Sequence, residues 1–140
     1  MADINKFFGA KSIINAKAAT QHINLLKKKA DGKIKGGDLK EATEIYKEAI
    51  DIAVKWELSK LLVELKDLLR KTEIVGLKEL KKIIEEEAQS SEKNYDYQRA
   101  RELYSKASTV STEIFKLGVT EIGKDIKRLK KKIGELEKTF

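Results

Sequence analysis

Gly37-Asp38-Leu39-Lys40-Glu41-Ala42 leads into Tyr46 and Ala49, and Tyr95-Asp96-Tyr97-Gln98-Arg99-Ala100 leads into Tyr104 and Ala107. The two stretches lie 58 residues apart at every matched position: Asp38/Asp96, Ala42/Ala100, Tyr46/Tyr104 and Ala49/Ala107. Small residues at helical spacing, with one aromatic between them, let a second helix approach closely. Finding the pattern twice reads as a helical repeat, with Ala42, Tyr46, Ala49, Ala100, Tyr104 and Ala107 as its structural positions. Scaffolds of that kind mostly hold partners and rarely do chemistry.

Working outward, Asp38 is placed as an N-cap, and Glu41 at the third helical position completes a capping box. Asp31-Gly32 and Gly36-Gly37 mark the break before it. The preceding helix is predicted over about 10–34, with Ile13, Ala16, Ile23, Leu26, Ala30 and Ile34 on one face. Residues 1–9 read as an N-terminal arm in which Phe7 and Phe8 form either a short docking turn or a frayed, sticky end.

After the cap, Ala42, Ile45, Tyr46, Ala49, Ala53 and Trp56 form one stripe, and Leu58, Leu61, Leu62, Leu65, Leu68 and Leu69 another. The change of phase favours a bend near Trp56 to Ser59. Ile74-Val75-Gly76-Leu77 reads as the next junction, followed by a helix through Leu77, Leu80, Ile83, Ile84 and Ala88. Asp96 caps the second copy. Lys116-Leu117-Gly118 reads as a helix end with a left-handed glycine.

The last helix carries Val119, Ile122, Ile126, Leu129, Ile133, Leu136 and Phe140 in three-four alternation, the spacing of a heptad seam. Gly123 and Gly134 each cost it about 1 kcal/mol relative to alanine, so the seam needs a partner surface, in this chain or another. At an offset of 61 residues, Leu58, Leu61, Leu65 and Leu68 fall on Val119, Ile122, Ile126 and Leu129. The expectation is an all-α chain of five or six helices in a single domain. It comprises the arm 1–9, a first helical unit 10–73 and a second 74–140, packed as a bundle or a short solenoid.

Gly37-Asp38-Leu39-x-x-Ala42-x-x-x-Tyr46-x-x-Ala49-Ile50, with Ala30 in the helix before it, resembles the second helix of a tetratricopeptide repeat. Ala88 with Asp96-Tyr97-x-x-Ala100-x-x-x-Tyr104-x-x-Ala107 is similar. The resemblance covers about half the chain, residues 23–56 and 81–114. The period departs from the family's roughly 34 residues, and the usual terminal proline is missing. A three-helix unit with this motif also resembles the microtubule-interacting-and-transport domain. That resemblance implies a bundle that binds helical or extended peptides in grooves between its helices.

Composition agrees with helices: there is no proline in 140 residues, and Ala, Leu, Ile, Lys and Glu dominate. The chain has no cysteine, which removes disulfides and thiolate metal sites. The start Met1-Ala2-Asp3-Ile4-Asn5 lacks a signal-peptide pattern, and no apolar run approaches the roughly 20 residues of a membrane span. A soluble, cytoplasmic protein without a transmembrane segment is expected.

The net charge of +7 is uneven. Residues 1–36 hold eight lysines against two acids, whereas residues 37–93 are net acidic. Lys124, Lys127, Arg128 and Lys131 share one face of the last helix, and Lys27-Lys28-Lys29 forms a second basic run. Lys27, Lys28, Lys124, Lys127, Arg128 and Lys131 are therefore the candidate partner-binding residues, set against the plainer reading of a solvated lysine face. No aromatics interleave with them as base stacking would need.

Catalytic constellations are missing. His22 is the only histidine and reads as a surface or half-buried residue. No GxGxxG or GxxxxGK[ST] motif occurs. Trp56 continues the Ala49 and Ala53 stripe, which favours core over a ligand-facing role. No cofactor is expected. The preferred expectation is a non-enzymatic adaptor that binds a peptide or partner subunit in an inter-helix groove, with Lys and Arg at the rim steering an acidic partner. A self-associating assembly subunit built on the heptad seam or on Phe7, Phe8 and Phe140 is the alternative. Charge-driven binding to nucleic acid or an anionic membrane is a further one.

Overall fold

Two aspartates set the helix starts. Asp38 (φ −93°, ψ 75°) accepts a hydrogen bond from the Glu41 backbone N–H at 3.1 Å, and Asp96 (φ −88°, ψ 74°) accepts one from Arg99 N–H at 3.2 Å. Each satisfies a donor that the first helical turn leaves unpaired. In this computed structural model the backbone is described for residues 2–138 and the side chains for residues 15–138. Among the described residues the chain is all-α: α1 (Ala2–Lys35), α2 (Leu39–Lys55), α3 (Ser59–Lys93), α4 (Tyr97–Lys116), a 3-10 turn (Thr120–Ile122) and α5 (Gly123–Glu137). Phe7, Phe8 and Ile13 by their side chains, and Phe140 altogether, lie outside the described residues.

The residue before each aspartate is left-handed. Gly37 has φ 85° and Tyr95 has φ 63°. In both turns the helix end closes the same way. Gly37 N–H donates to Ile34 C=O and Asp38 N–H to Lys33 C=O; Tyr95 N–H donates to Glu92 C=O and Asp96 N–H to Ser91 C=O. These are the paired bonds of a Schellman ending, which needs one residue at positive φ. Glu57 (φ 56°) and Gly118 (φ 102°) occupy that place at the ends of α2 and α4. A side chain in this conformation costs about 1–2 kcal/mol, while glycine loses about 0.5–1 kcal/mol through its freer unfolded chain. Glu57→Gly is therefore expected to stabilise the protein by up to about 1 kcal/mol. A lowered midpoint in thermal or urea unfolding would contradict this.

The chain divides into two compact units, Met1–Glu73 and Ile74–Phe140. The expected junction at 74–77 is not a break: α3 runs through it without interruption. Gly76 costs a helix about 1 kcal/mol, but ending one requires a left-handed turn and a new cap. Gly76 is not among the positive-φ glycines. The Thr72 hydroxyl donates back to Leu68 C=O within the helix at 2.8 Å, so it caps no new start.

In unit 1, α1, α2 and the first part of α3 enclose Ile23, Leu26, Ala30, Ala42, Ile45, Tyr46, Ala49, Ala53 and Leu65. In unit 2, the rest of α3 packs with α4 and α5 around Ala88, Ala100, Leu103, Tyr104, Ala107, Leu129 and Leu136. Val110, Ile114 and Ile122 form a second cluster there. Ala30, Ala42, Ala49, Ala88, Ala100 and Ala107 are all fully buried in these clusters. The seam of α5 faces inward: Ile122, Leu129 and Leu136 are buried within unit 2.

Candidate binding groove

Where α3 and α5 face each other in unit 2, the contact is polar. Lys81 is 9% exposed, and its Nζ lies 2.7 Å from Glu85 Oε2 and 3.1 Å from Asp125 Oδ2. Arg128 closes the ring, pairing with Glu85 through Nη2 and with Asp125 through Nε at 3.5 Å. Two cations and two carboxylates thus cancel one another. Further along, Glu92 accepts a hydrogen bond from the Tyr104 hydroxyl at 2.5 Å and pairs with Lys132 at 2.9 Å. The Lys132 ammonium also lies 6.0 Å from the Tyr104 ring centroid, within cation–π range.

These contacts fix the charge states. Burial pushes the Glu85 carboxyl up, but hydrogen bonds from Lys81 and Arg128 outweigh it and hold the group below its ordinary value. Burial likewise opposes, and bonds from Tyr104 and Lys132 overcome, the shift at Glu92. At Asp125, burial is overcome chiefly by the bond from Lys81. Tyr104 is pushed well above its ordinary value, first by burial and then by its bond to Glu92. Arg128 is raised, foremost by its bond to Glu85.

A carboxyl with a depressed folded pKa contributes stability above its unfolded value and loses it as pH falls through the folded value. Glu85, Glu92 and Asp125 all belong to unit 2, whereas among the described residues of unit 1 Asp67 alone is so lowered, first by its hydrogen bond from Arg70. Acidification from about pH 6 to about pH 3 is therefore expected to loosen α4 and α5 before α1 and α2. Amide exchange read helix by helix checks this; simultaneous loss in both units contradicts it.

Above the neutral floor lies a groove of about 830 Å³ between α3 and α5, with Val119 and Ile122 at one end. A second hollow of about 510 Å³ shares Gln89 and Arg128 with it and reaches Tyr104, Lys131 and Lys132. Lys78, Lys82 and Lys124 line the first and Lys131 the second. Among the described residues none of these four lysines has an ion-pair partner.

Of the sequence candidates, Lys124, Arg128 and Lys131 come together in these walls. Lys127 is exposed and lines neither hollow. Lys27 and Lys28 belong to unit 1, where Lys27 pairs with Glu64 and Lys28 is exposed. The repeat positions Ala42, Tyr46, Ala49, Ala100 and Ala107 are core, and Tyr104 is core with its hydroxyl at the groove. His22 is exposed. Trp56 is half-buried and borders a hollow, so the core role expected for it is only partly filled.

Sequence reasoning passed over Lys78, Lys81, Lys82, Glu85, Glu92 and Asp125. The one available signal was the i,i+4 spacing of Lys81 and Glu85, which a solvated helix face shows equally. Among the described residues no group of three or more His, Asp or Glu is placed to hold a metal ion, and no helix is long and apolar enough to cross a membrane. In comparisons with known proteins, no family model, curated protein or solved structure matches this chain.

Proposed function

We propose that this chain is a non-enzymatic interaction module of two tetratricopeptide-like helical units, in which the α3–α5 groove of unit 2 holds an acidic segment of a partner protein. The observation that carries the reading is the set of unpartnered lysines, Lys78, Lys82, Lys124 and Lys131, around a floor whose own charges are cancelled. A neutral floor adds little attraction of its own, and although Glu86 and Glu121 also line the walls, the four lysines leave the rim with an excess of positive charge that decides the sign of the partner. The lysines steer it at long range and the steering is screened by salt. Val119 and Ile122 offer an apolar end for an anchoring side chain. Along the 3-10 turn and α5 the walls run from Glu121 to Glu135, about 21 Å at the helical rise, which suits a segment of roughly four helical turns.

Ile122, Leu129 and Leu136 are buried inside unit 2, with Val119, Ile126 and Ile133 packed against the same clusters, which supports the interaction module over self-association through the seam. The module needs no cofactor, and a cytoplasmic location suits it.

Calorimetric titration with an acidic amphipathic peptide of about 14 residues tests the reading. Lys82→Glu/Lys124→Glu/Lys131→Glu is expected to weaken binding at least tenfold, each rim charge being worth about 0.5–1 kcal/mol. Unchanged affinity in this variant contradicts the site. Equal binding of a single-stranded oligonucleotide with the same charge, collapsing between about 50 and 200 mM salt, would replace the peptide by a nucleic-acid backbone.

A further inference from the structure

We propose a second docking site, in unit 1 and of opposite preference: the hollow between α1 and α2 beside Trp56 takes a peptide segment that pairs an apolar anchor with a flanking lysine or arginine. The hollow measures about 590 Å³, with Ala19, Ile52 and Trp56 as its apolar wall and His22, Glu48 and Asp51 among its polar residues.

The residue 58 positions after Trp56 is Ile114, which is fully buried. Ile114 is closed over by Val110 and Ile122, with Leu77 packed against them. The residues 58 positions before Val110 and Leu77 are Ile52 and Ala19. The aliphatic neighbour at Ile52 is therefore kept, while the leucine wall is cut back to a methyl group at Ala19. A larger side chain, Trp56, stands behind a smaller wall and stays half-open. An unclosed aromatic next to a small residue is a socket for an apolar anchor, and tryptophan is the side chain most enriched at such binding centres.

Charge selects the occupant. The side chains of Glu48 and Asp51 have no ion-pair or hydrogen-bond partner among the described residues. The corresponding residues 58 positions on are Lys106 and Thr109, so the acidic rim is particular to this hollow. The lysine at the site, Lys55, lies with its ammonium 5.6 Å from the Trp56 ring centroid, which marks that face as one a cation can occupy. A basic segment meets two carboxylates against the single ammonium of Lys55; an acidic one meets net repulsion.

Trp56 is the only tryptophan of the chain, so its emission reports on this hollow alone. The probes are two synthetic 12-residue amphipathic peptides with leucines at i, i+3, i+4 and i+7, one carrying lysines on its polar face and the other glutamates. The lysine peptide is expected to shift Trp56 emission saturably to the blue, and the glutamate peptide to leave it unchanged. Glu48→Lys/Asp51→Lys, two surface changes, should weaken the lysine peptide at least tenfold. Ala19→Leu should abolish the shift while the far-ultraviolet circular dichroism stays helical. If Ala19→Leu disturbs the fold, the carboxylate variant alone decides. Unchanged emission at saturating lysine peptide, equal response to both peptides, or full affinity in Glu48→Lys/Asp51→Lys overturns the proposal.

Discussion

Leu129→Ala is expected to lower the stability of unit 2 by about 2–5 kcal/mol, the range for deleting a fully buried leucine side chain. Leu129 is completely buried in the cluster with Ala88, Ala100, Leu103, Tyr104 and Ala107. The helix that carries Leu129 is weak by itself: Gly134 lies inside α5 and Gly123 begins it, and packing rather than propensity keeps it folded. A loss of that size is a large part of the 5–15 kcal/mol that holds a domain together. Urea unfolding, with amide exchange in α4 and α5 as the local readout, gives the number. A loss below about 1 kcal/mol, or a change in oligomer mass with stability intact, would mean that the seam faces another chain.

The second large effect comes from adding atoms. Ala100→Leu is expected to cost about 1–3 kcal/mol or more through overpacking. Ala100 is fully buried in the first turn of α4, directly after the Asp96 cap. A leucine there has to displace the surrounding helices or break the cap. Ala42→Leu should behave alike in unit 1, because Ala42 is as buried and follows Asp38 by the same four residues. Alanine is the best helix former, and leucine is close behind it, so propensity cannot account for a loss at either site. Thermal unfolding of the two variants measures it. Midpoints equal to the parent protein would show that the small stripe does not set helix spacing.

The local signals that proved readable were those enforced over a few residues. An aspartate before a helix, with its side chain bound to the third N–H, is legible at Asp38 and Asp96 because the geometry is contained in four residues. The alanine and tyrosine stripes are legible for the same reason: a period of three to four residues fixes which side turns inward. Gly118 is readable as a left-handed end, but Tyr95 and Glu57 are not, because the paired backbone bonds that close these two helix ends hold them in a conformation their side chains disfavour. Gly76 misleads, since a glycine announces a break only when a turn and a cap follow it.

The groove was half legible. Lys124, Arg128 and Lys131 stand out by their spacing on one helix. Their opposite wall does not, because Lys78, Lys81, Lys82 and Glu85 look like any charged surface of α3 until α5 is laid beside it. Burial of Lys81 depends on Asp125 and Glu85 reaching it from two helices, a coincidence across 44 residues that no local pattern encodes.

The claim that unit 2 binds an acidic segment between α3 and α5 is tested most directly by nuclear magnetic resonance. A ¹⁵N-labelled sample of the full chain would be titrated with the acidic 14-residue peptide. The account predicts shifts concentrated at residues 78–93 of α3 and 119–135 around α5, with α2 silent. Shifts centred elsewhere, or none at saturating peptide, would contradict it.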